Sequence, residues 1–169
     1  YGEMRGIRPG SLIRNTSTPP VFPVGNRYLG HAVDAFGHSL GPARSIFPAR
    51  YNPLHADPPN PLTRPRINAP LDVGVRAINA LLTVGRGQRM GLFAGSGVGK
   101  STLLGMMARG TAADVTVIGL VGERGREVRE FIERDLGKEG LARSVIVVVT
   151  SDQSPLLRMR GAFVATAIA

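Results

Sequence analysis

Proline placement constrains the fold of this chain more than any other feature of its sequence. Twelve of the thirteen prolines among its 169 residues lie at or before Pro70, and only Pro155 follows. Because proline fixes φ and lacks a backbone donor, the segment 48–70 cannot form a helix interior or a central strand. We therefore expect a proline-rich linker over 48–70, between a small β unit over 1–47 and a second domain over 71–169.

After Pro70, helical and strand patterns alternate along the chain. Apolar runs typical of strands lie at 88–94, 114–122 and 144–149. Helical spacing or cap signals lie at 72–82, 101–109 and 126–137, and from Pro155, behind the cap residue Ser154, to the chain end. This alternation predicts an α/β fold with a parallel sheet and right-handed crossovers.

Composition removes several classes of function. The chain has no cysteine, and His31, His38 and His55 show no metal-ligand spacing, so disulfide, thiolate-zinc and cysteine-nucleophile chemistry are excluded. No stretch approaches the roughly 18 to 20 apolar residues that a bilayer crossing needs. We therefore expect a soluble, folded protein.

The net charge of +9 points to an acidic partner only if it is concentrated. Residues 1–70 carry 8 basic and 3 acidic residues, and residues 71–169 carry 13 and 9, so neither part holds a basic block. With 5% aromatic residues and no tryptophan, the chain has little with which to stack bases. We expect no nucleic-acid partner, whereas an acidic lipid surface stays open.

A glycine-rich segment, AGSGVGKS at 94–101, lies between a predicted strand and a predicted helix. This is the context of a phosphate-binding loop, although Ala94 stands where the strict pattern has glycine. Glycines let successive N–H groups turn inward, Lys100 can reach the β- and γ-phosphates, and the Ser101 hydroxyl can ligate Mg²⁺. The candidate nucleotide-binding residues are Gly95, Ser96, Gly97, Val98, Gly99, Lys100, Ser101 and Thr102.

A second motif, GERGRE, begins at Gly122 where the predicted strand 114–122 ends. Ligands of open parallel sheets bind at the carboxyl ends of the strands, so this motif is expected beside the loop. There Glu123 can polarise an attacking water and Arg124 can hold a phosphate. Alternatively, Glu123 only begins a charged helix, where an early carboxylate complements the helix dipole. The residues alone leave both roles open.

Three phrases, GQRMGLFAGSGVGKSTLLGMMAR, ADVTVIGLVGERGREVREFIE and SDQSPLLRMRGAFVATAIA, resemble the export ATPases of flagellar and type III secretion systems, relatives of the rotary ATP synthase catalytic subunits. The resemblance runs from about Val24 to the chain end and leans towards the flagellar branch. It implies a RecA-like P-loop core preceded by the end of a β-barrel domain. It also implies that Glu123 is the catalytic carboxylate, that Arg124 contacts phosphate, and that Lys100 and Ser101 bind phosphate and magnesium.

The resemblance implies ATP and Mg²⁺ as cofactors and hydrolysis coupled to protein export. The implied partners are further copies in a homo-hexamer, regulator, stator and stalk proteins of the export apparatus, export substrates and their chaperones. The implied location is the cytoplasm, peripheral to the inner membrane. Two alternatives stay open: a nucleic-acid-dependent motor with the same core, and a nucleotide-binding module that does not hydrolyse.

The resemblance also implies parts that this sequence lacks. The chain begins at Tyr1 and ends within an apolar run, so we expect an excerpt of a longer protein that is inactive alone. Asp152 follows a predicted strand, but the resemblance places the magnesium-orienting aspartate further downstream. An arginine from a neighbouring subunit is also implied. For Arg158 and Arg160 we expect a solvated helix face rather than a subunit interface.

Overall fold

The computed structural model describes residues 8–15, 18–42, 46–95 and 97–169. Within these ranges the strands are β1 Val21–Val24, β2 His31–Val33, β3 Arg50–Pro53, β4 Thr116–Val121 and β5 Ser144–Val149. The α-helices are α1 Arg76–Leu81, α2 Lys100–Gly110, α3 Gly125–Glu130, α4 Gly137–Ala142 and α5 Pro155–Ile168. A π-helix, Phe131–Leu136, joins α3 to α4, and short 3₁₀ turns lie at Asn26–Tyr28 and Pro61–Thr63.

A three-stranded parallel sheet in the order β2-β5-β4 forms the centre of the fold. All six residues of β5 are buried because the strand is paired on both edges and covered on both faces. Val145 and Val147 pack towards Val164 of α5, whereas Ile146 and Val148 pack towards the helices that follow β4. Helices on both faces of a parallel sheet confirm the predicted α/β fold class.

The strands that flank the 3₁₀ turn Asn26–Tyr28 belong to two different sheets. β1 pairs antiparallel with β3, with Val21 opposite Pro53 and Val24 opposite Arg50. β2 instead pairs parallel with β5, so that residues preceding the proline-rich segment contribute a strand to the central sheet. The division of the chain at residues 47 and 70 stays a prediction.

The predicted strand at 88–94 is wrong. In the described part of the chain, residues 88–95 pair with no strand, and the Phe93 side chain is 94% exposed. Residues 90–94 are apolar, as in a buried strand. A strand forms, however, only where a neighbouring strand supplies backbone hydrogen-bond partners.

Two predicted helices differ in extent from those in the structure. The helix expected over 72–82 is α1, which begins only at Arg76, because the Asp72 carboxylate closes a preceding turn instead of capping the helix. The helix expected over 126–137 begins at Gly125, widens into the π-helix and continues to Ala142. The predictions at 101–109, 114–122 and 144–149 correspond to α2, β4 and β5.

Helix α5 begins as its sequence predicts, but its arginines do not lie on a solvated face. The Ser154 hydroxyl accepts a hydrogen bond from the Leu157 N–H at 3.3 Å, which confirms the predicted cap. Arg158 and Arg160 are half-buried, and the Arg160 guanidinium donates to the Ala35 carbonyl at 2.9 Å.

Over the described ranges, no helix combines the length and apolar content that a membrane crossing requires.

Candidate active site

The glycine-rich segment leads directly into α2. Gly97 and Gly99 have φ values of 77° and 93°, in the left-handed region that favours glycine. A Cβ atom added at Gly95, Gly97 or Gly99 would meet no other group within 4 Å, so open space lies beside the loop. Ser96 lies outside the described residues. The loop therefore has the exposed, strongly curved backbone that phosphate binding requires.

Helix α2 presents its amino terminus to this open space. The Leu103 N–H donates to the Gly99 carbonyl at 2.9 Å and closes the first turn. Gly99 has no side chain with which to cap the helix, and no acidic residue lies in the first turn. Ser101 and Thr102 are exposed there. The N–H groups and partial positive charge of this end are thus available to an anion.

Glu123 is held at the carboxyl end of the sheet by the continuation of β5. The Gly122 N–H donates to the Val149 carbonyl at 2.7 Å, and the Ser151 N–H donates to the Glu123 carbonyl at 3.0 Å. From this position the Glu123 carboxylate lies 3.6 Å from Nζ of Lys100. The structure therefore brings together the charged side chains of the two sequence motifs.

Arg124 is directed away from this pair and along its own helix. Its Nη1 lies 3.6 Å from Oε1 of Glu127, and its backbone N–H donates to Oε2 of Glu127 at 3.4 Å. The Glu127 carboxylate thus accepts the backbone N–H of Arg124, the residue that precedes α3, and lies beside its guanidinium. Glu127 thus takes the helix-start role that the sequence left open for Glu123, and the Glu123 side chain is left to face Lys100.

The turn after β5 supports Glu123 and was not anticipated from the sequence. The Gln153 N–H donates to the Thr150 carbonyl at 3.1 Å and closes the turn. The Thr150 hydroxyl, together with the backbone N–H of Asp152, lowers the pKa of the Asp152 carboxyl. Polar residues directly after a buried parallel strand were the available signal, because that position lies at the ligand-binding edge.

A second unanticipated contact fixes the far end of α2. The Asp72 carbonyl accepts hydrogen bonds from the Ala112 N–H at 2.9 Å and from the Thr111 hydroxyl at 3.1 Å. The Asp72 carboxylate accepts the Gly74 N–H at 2.7 Å and the Asn79 amide at 2.6 Å, which lowers the pKa of that carboxyl. The helix that carries Lys100 is therefore tied to the segment that follows the linker.

The nucleotide-binding domain model of the ATP synthase alpha/beta family matches residues 74–169. The flagellum-specific ATP synthase of Bacillus subtilis (strain 168) is 55% identical over 171 residues, covering 100% of this chain and 39% of that protein. The type 3 secretion system ATPase of Xanthomonas euvesicatoria is 48% identical over 169 residues, covering 100% of this chain and 38% of that protein. The chain thus spans about two fifths of the length of these relatives.

A solved structure of a related ATPase has a similar fold. The assembled ATPase EscN in complex with its central stalk EscO, from the enteropathogenic E. coli type III secretion system, superposes with a TM-score of 0.82 at 49% identity. The superposition covers 88% of this chain and 37% of that one. With the family model spanning residues 74–169 and the loop and carboxylate in place, this chain belongs to the ATP synthase alpha/beta family.

Proposed function

We propose that this chain supplies the phosphate-binding loop and the catalytic carboxylate of a Mg-ATP hydrolase that drives protein export through a flagellar or type III secretion apparatus. The observation that carries the proposal is the 3.6 Å approach of Glu123 to Lys100 beside an open loop. A cation and a carboxylate at one edge of a parallel sheet are what phosphoryl transfer to water needs. The relatives named above support the export role.

Each site residue has a proposed part in the reaction. The loop from Gly95 to Thr102 surrounds the phosphates with N–H groups, and Lys100 neutralises the charge of the β- and γ-phosphates. The exposed Ser101 hydroxyl would hold Mg²⁺, which would supply charge withdrawal from the phosphate oxygens when bound. Glu123 orients the attacking water and accepts its proton.

Arg124 requires a change of partner to take the role that the resemblance gives it. In the structure its guanidinium lies beside Glu127, and its side chain is 67% exposed. An exposed ion pair of this kind contributes only about 0 to 1 kcal/mol, so a phosphate can compete for the arginine. We propose that Arg124 turns from Glu127 to the phosphate when nucleotide binds.

The assembly and its surroundings are further parts of the proposal. They comprise a homo-hexamer in which a neighbouring subunit supplies an arginine, with the stalk, stator, regulator, chaperone and substrate proteins of the export apparatus. The proposed location is the cytoplasm at the inner membrane, where an acidic lipid surface can attract the net charge of +9. The 48–70 linker and the flanking domains over 1–47 and 71–169 keep their proposed boundaries.

Neither a nucleic-acid-dependent motor nor a non-hydrolysing module gains support. The relatives described above are named as ATP synthases or secretion ATPases, and none is described by a nucleic acid. A positioned carboxylate beside the loop lysine also favours hydrolysis over simple binding.

The chain offers a matched pair of variants to test the site. Its two lysines are Lys100, on the loop, and Lys138, which is exposed on α4. Lys100→Ala should weaken ADP binding measured by calorimetry about ten- to a hundred-fold, because charge-assisted bonds to phosphate contribute about 1.5 to 3 kcal/mol. Lys138→Ala should leave it unchanged. Equal affinities for Lys100→Ala and the parent chain would refute the site.

A further inference from the structure

In the structure, the loop lysine has an anionic partner. Lys100 Nζ lies 3.6 Å from Glu123 Oε1, and the two side chains are 41% and 34% exposed. The carboxylate therefore stands beside the ammonium group to which the proposed function directs phosphate oxygens. The Glu123 carboxylate and the phosphate of a bound nucleotide would therefore both contact the Lys100 ammonium group at the open edge of the sheet.

Phosphate and the Glu123 carboxylate cannot share Lys100 without repelling each other, because like charges a few ångströms apart are unfavourable. The Glu123 backbone is fixed by hydrogen bonds of Gly122 to Val149 and of Ser151 to Glu123. Its side chain can consequently leave Lys100 by rotation about its own torsions, without movement of the strands. Displacement is thus a local change at a rigid edge.

We propose that Glu123 is an internal substitute for phosphate: its carboxylate holds Lys100 while the site is empty and is released when the β-phosphate of a nucleotide takes the lysine. This inference rests on the proposed function and adds a form of regulation to it. The carboxylate that would orient water is occupied in the empty site. It becomes free only when there is a phosphate to attack.

The chain supplies its own comparison for this pair. Glu127 lies one helical turn further on and contacts Arg124 at the same nitrogen-to-oxygen distance, 3.6 Å, but it does not face Lys100. Glu127→Gln therefore removes a glutamate charge that is 44% exposed, against 34% for Glu123, without touching the proposed pair. Glu123→Asp keeps the charge but withdraws it by one methylene group.

The empty site can be observed directly by ¹³C NMR of lysine-labelled chain. With two lysines, the chain gives two Cε resonances, and Lys138 serves as the internal reference. We expect Glu123→Gln and Glu123→Asp both to shift the Lys100 resonance, whereas Glu127→Gln leaves it in place. Identical Lys100 resonances in the parent and both Glu123 variants would overturn the inference.

The displacement is tested with ADP and with AMP, which lacks a β-phosphate. ADP should move the parent Lys100 resonance, and AMP should not. Release of an exposed ion pair corresponds to about a two- to five-fold change in affinity, so Glu123→Gln should bind ADP more tightly by that factor. Glu123→Asp should do so as well if loss of the pair is the cause. If Glu123→Asp binds ADP with the affinity of the parent, the tighter binding of Glu123→Gln comes from removing a negative charge that repels phosphate. That result would contradict the proposed pair.

These outcomes separate the inference from the proposed function. If ADP moves the Lys100 resonance but the Glu123 variants do not, the nucleotide site stands and the substitute role fails. If ADP at millimolar concentration moves neither lysine resonance, the proposed nucleotide site fails, and displacement of Glu123 by phosphate fails with it.

Discussion

Glu123 and Glu127 look interchangeable in the sequence, yet the structure gives them different partners. Glu127 accepts the Arg124 N–H at the start of α3, while Glu123 faces Lys100. In a hydrolytically active protein of the relatives' length that carries this chain, Glu123→Gln should lower ATP turnover at least about a hundred-fold, because a positioned general base is lost. Steady-state phosphate release measures this.

The control for that prediction is Glu127→Gln, which should leave turnover within a few-fold of the parent rate because its carboxylate serves the helix start. Nucleotide affinity should not fall in Glu123→Gln, so binding and chemistry separate. If Glu123→Gln hydrolyses ATP at the parent rate, the catalytic carboxylate lies elsewhere.

Asp72 makes stability depend on pH at the acid end. Hydrogen bonds from Gly74 and Asn79 lower the pKa of its carboxyl below the ordinary 3.8. The stabilisation is therefore complete above about pH 4 and is lost as the pH falls through the lowered value in the folded state. Asp72→Asn should make the free energy of unfolding fall less steeply below pH 4, as measured by urea titrations at several pH values.

Asn79→Ala provides an intermediate case, because it removes one of the two donors to Asp72 and leaves the other. Its acid sensitivity should lie between those of the parent and Asp72→Asn. An unchanged pH profile in Asp72→Asn would show that these hydrogen bonds form equally in the unfolded chain.

At the level of elements, the side-chain pattern correctly predicted the strands β4 and β5 but wrongly predicted a strand at 88–94. β5 is buried throughout and β-branched at residues 145–149, and it lies between two paired neighbours, so pattern and pairing agree. Residues 88–94 are apolar only from Met90 onwards, contain no β-branched residue and, in the described chain, have no paired neighbour. Pairing depends on residues far along the chain, which a local pattern cannot contain.

The contact between the end of α2 and the segment after the linker depends on two glycines. Gly74 has φ +73°, and a Cβ atom added there would overlap the backbone of Gly110. Gly74→Ala should therefore destabilise the fold both by backbone strain and by overpacking, the second costing about 1 to 3 kcal/mol. Urea unfolding measures the loss.

Gly30→Ala isolates the steric part of this loss. Gly30 has φ +81°, close to that of Gly74, but an added Cβ atom would meet nothing within 4 Å. Both variants share the strain of a left-handed alanine, so their difference reports the contact with Gly110. Equal destabilisation would mean that α2 and this segment separate at little cost.

For the molecule as a whole, the loop motif predicts where nucleotide binds, but composition did not predict how the residues before and after the proline-rich segment pack together. One buried cluster joins Phe22 and Tyr28 to Val147 and Val164, across the proline-rich segment. Asn52 also donates to the Ala167 carbonyl at 2.7 Å. Proline content indicates where helices and strands are interrupted. It does not indicate which segments bury their apolar side chains together, because such segments can lie far apart in the sequence.

Residues 1–169 expressed by themselves test whether one chain forms a complete active site. They contain the loop and Glu123, so they should bind nucleotide weakly at best, and ATP turnover should be negligible. In related phosphoryl-transfer enzymes an arginine supplied by a partner is worth about 10³ to 10⁵ in rate, and we propose that such an arginine comes from a neighbouring subunit. Mg-ATP hydrolysis measured over a dilution series tests this. Turnover at an ordinary enzymatic rate that is independent of protein concentration and abolished by Lys100→Ala would show a complete single-chain active site and contradict the proposed assembly.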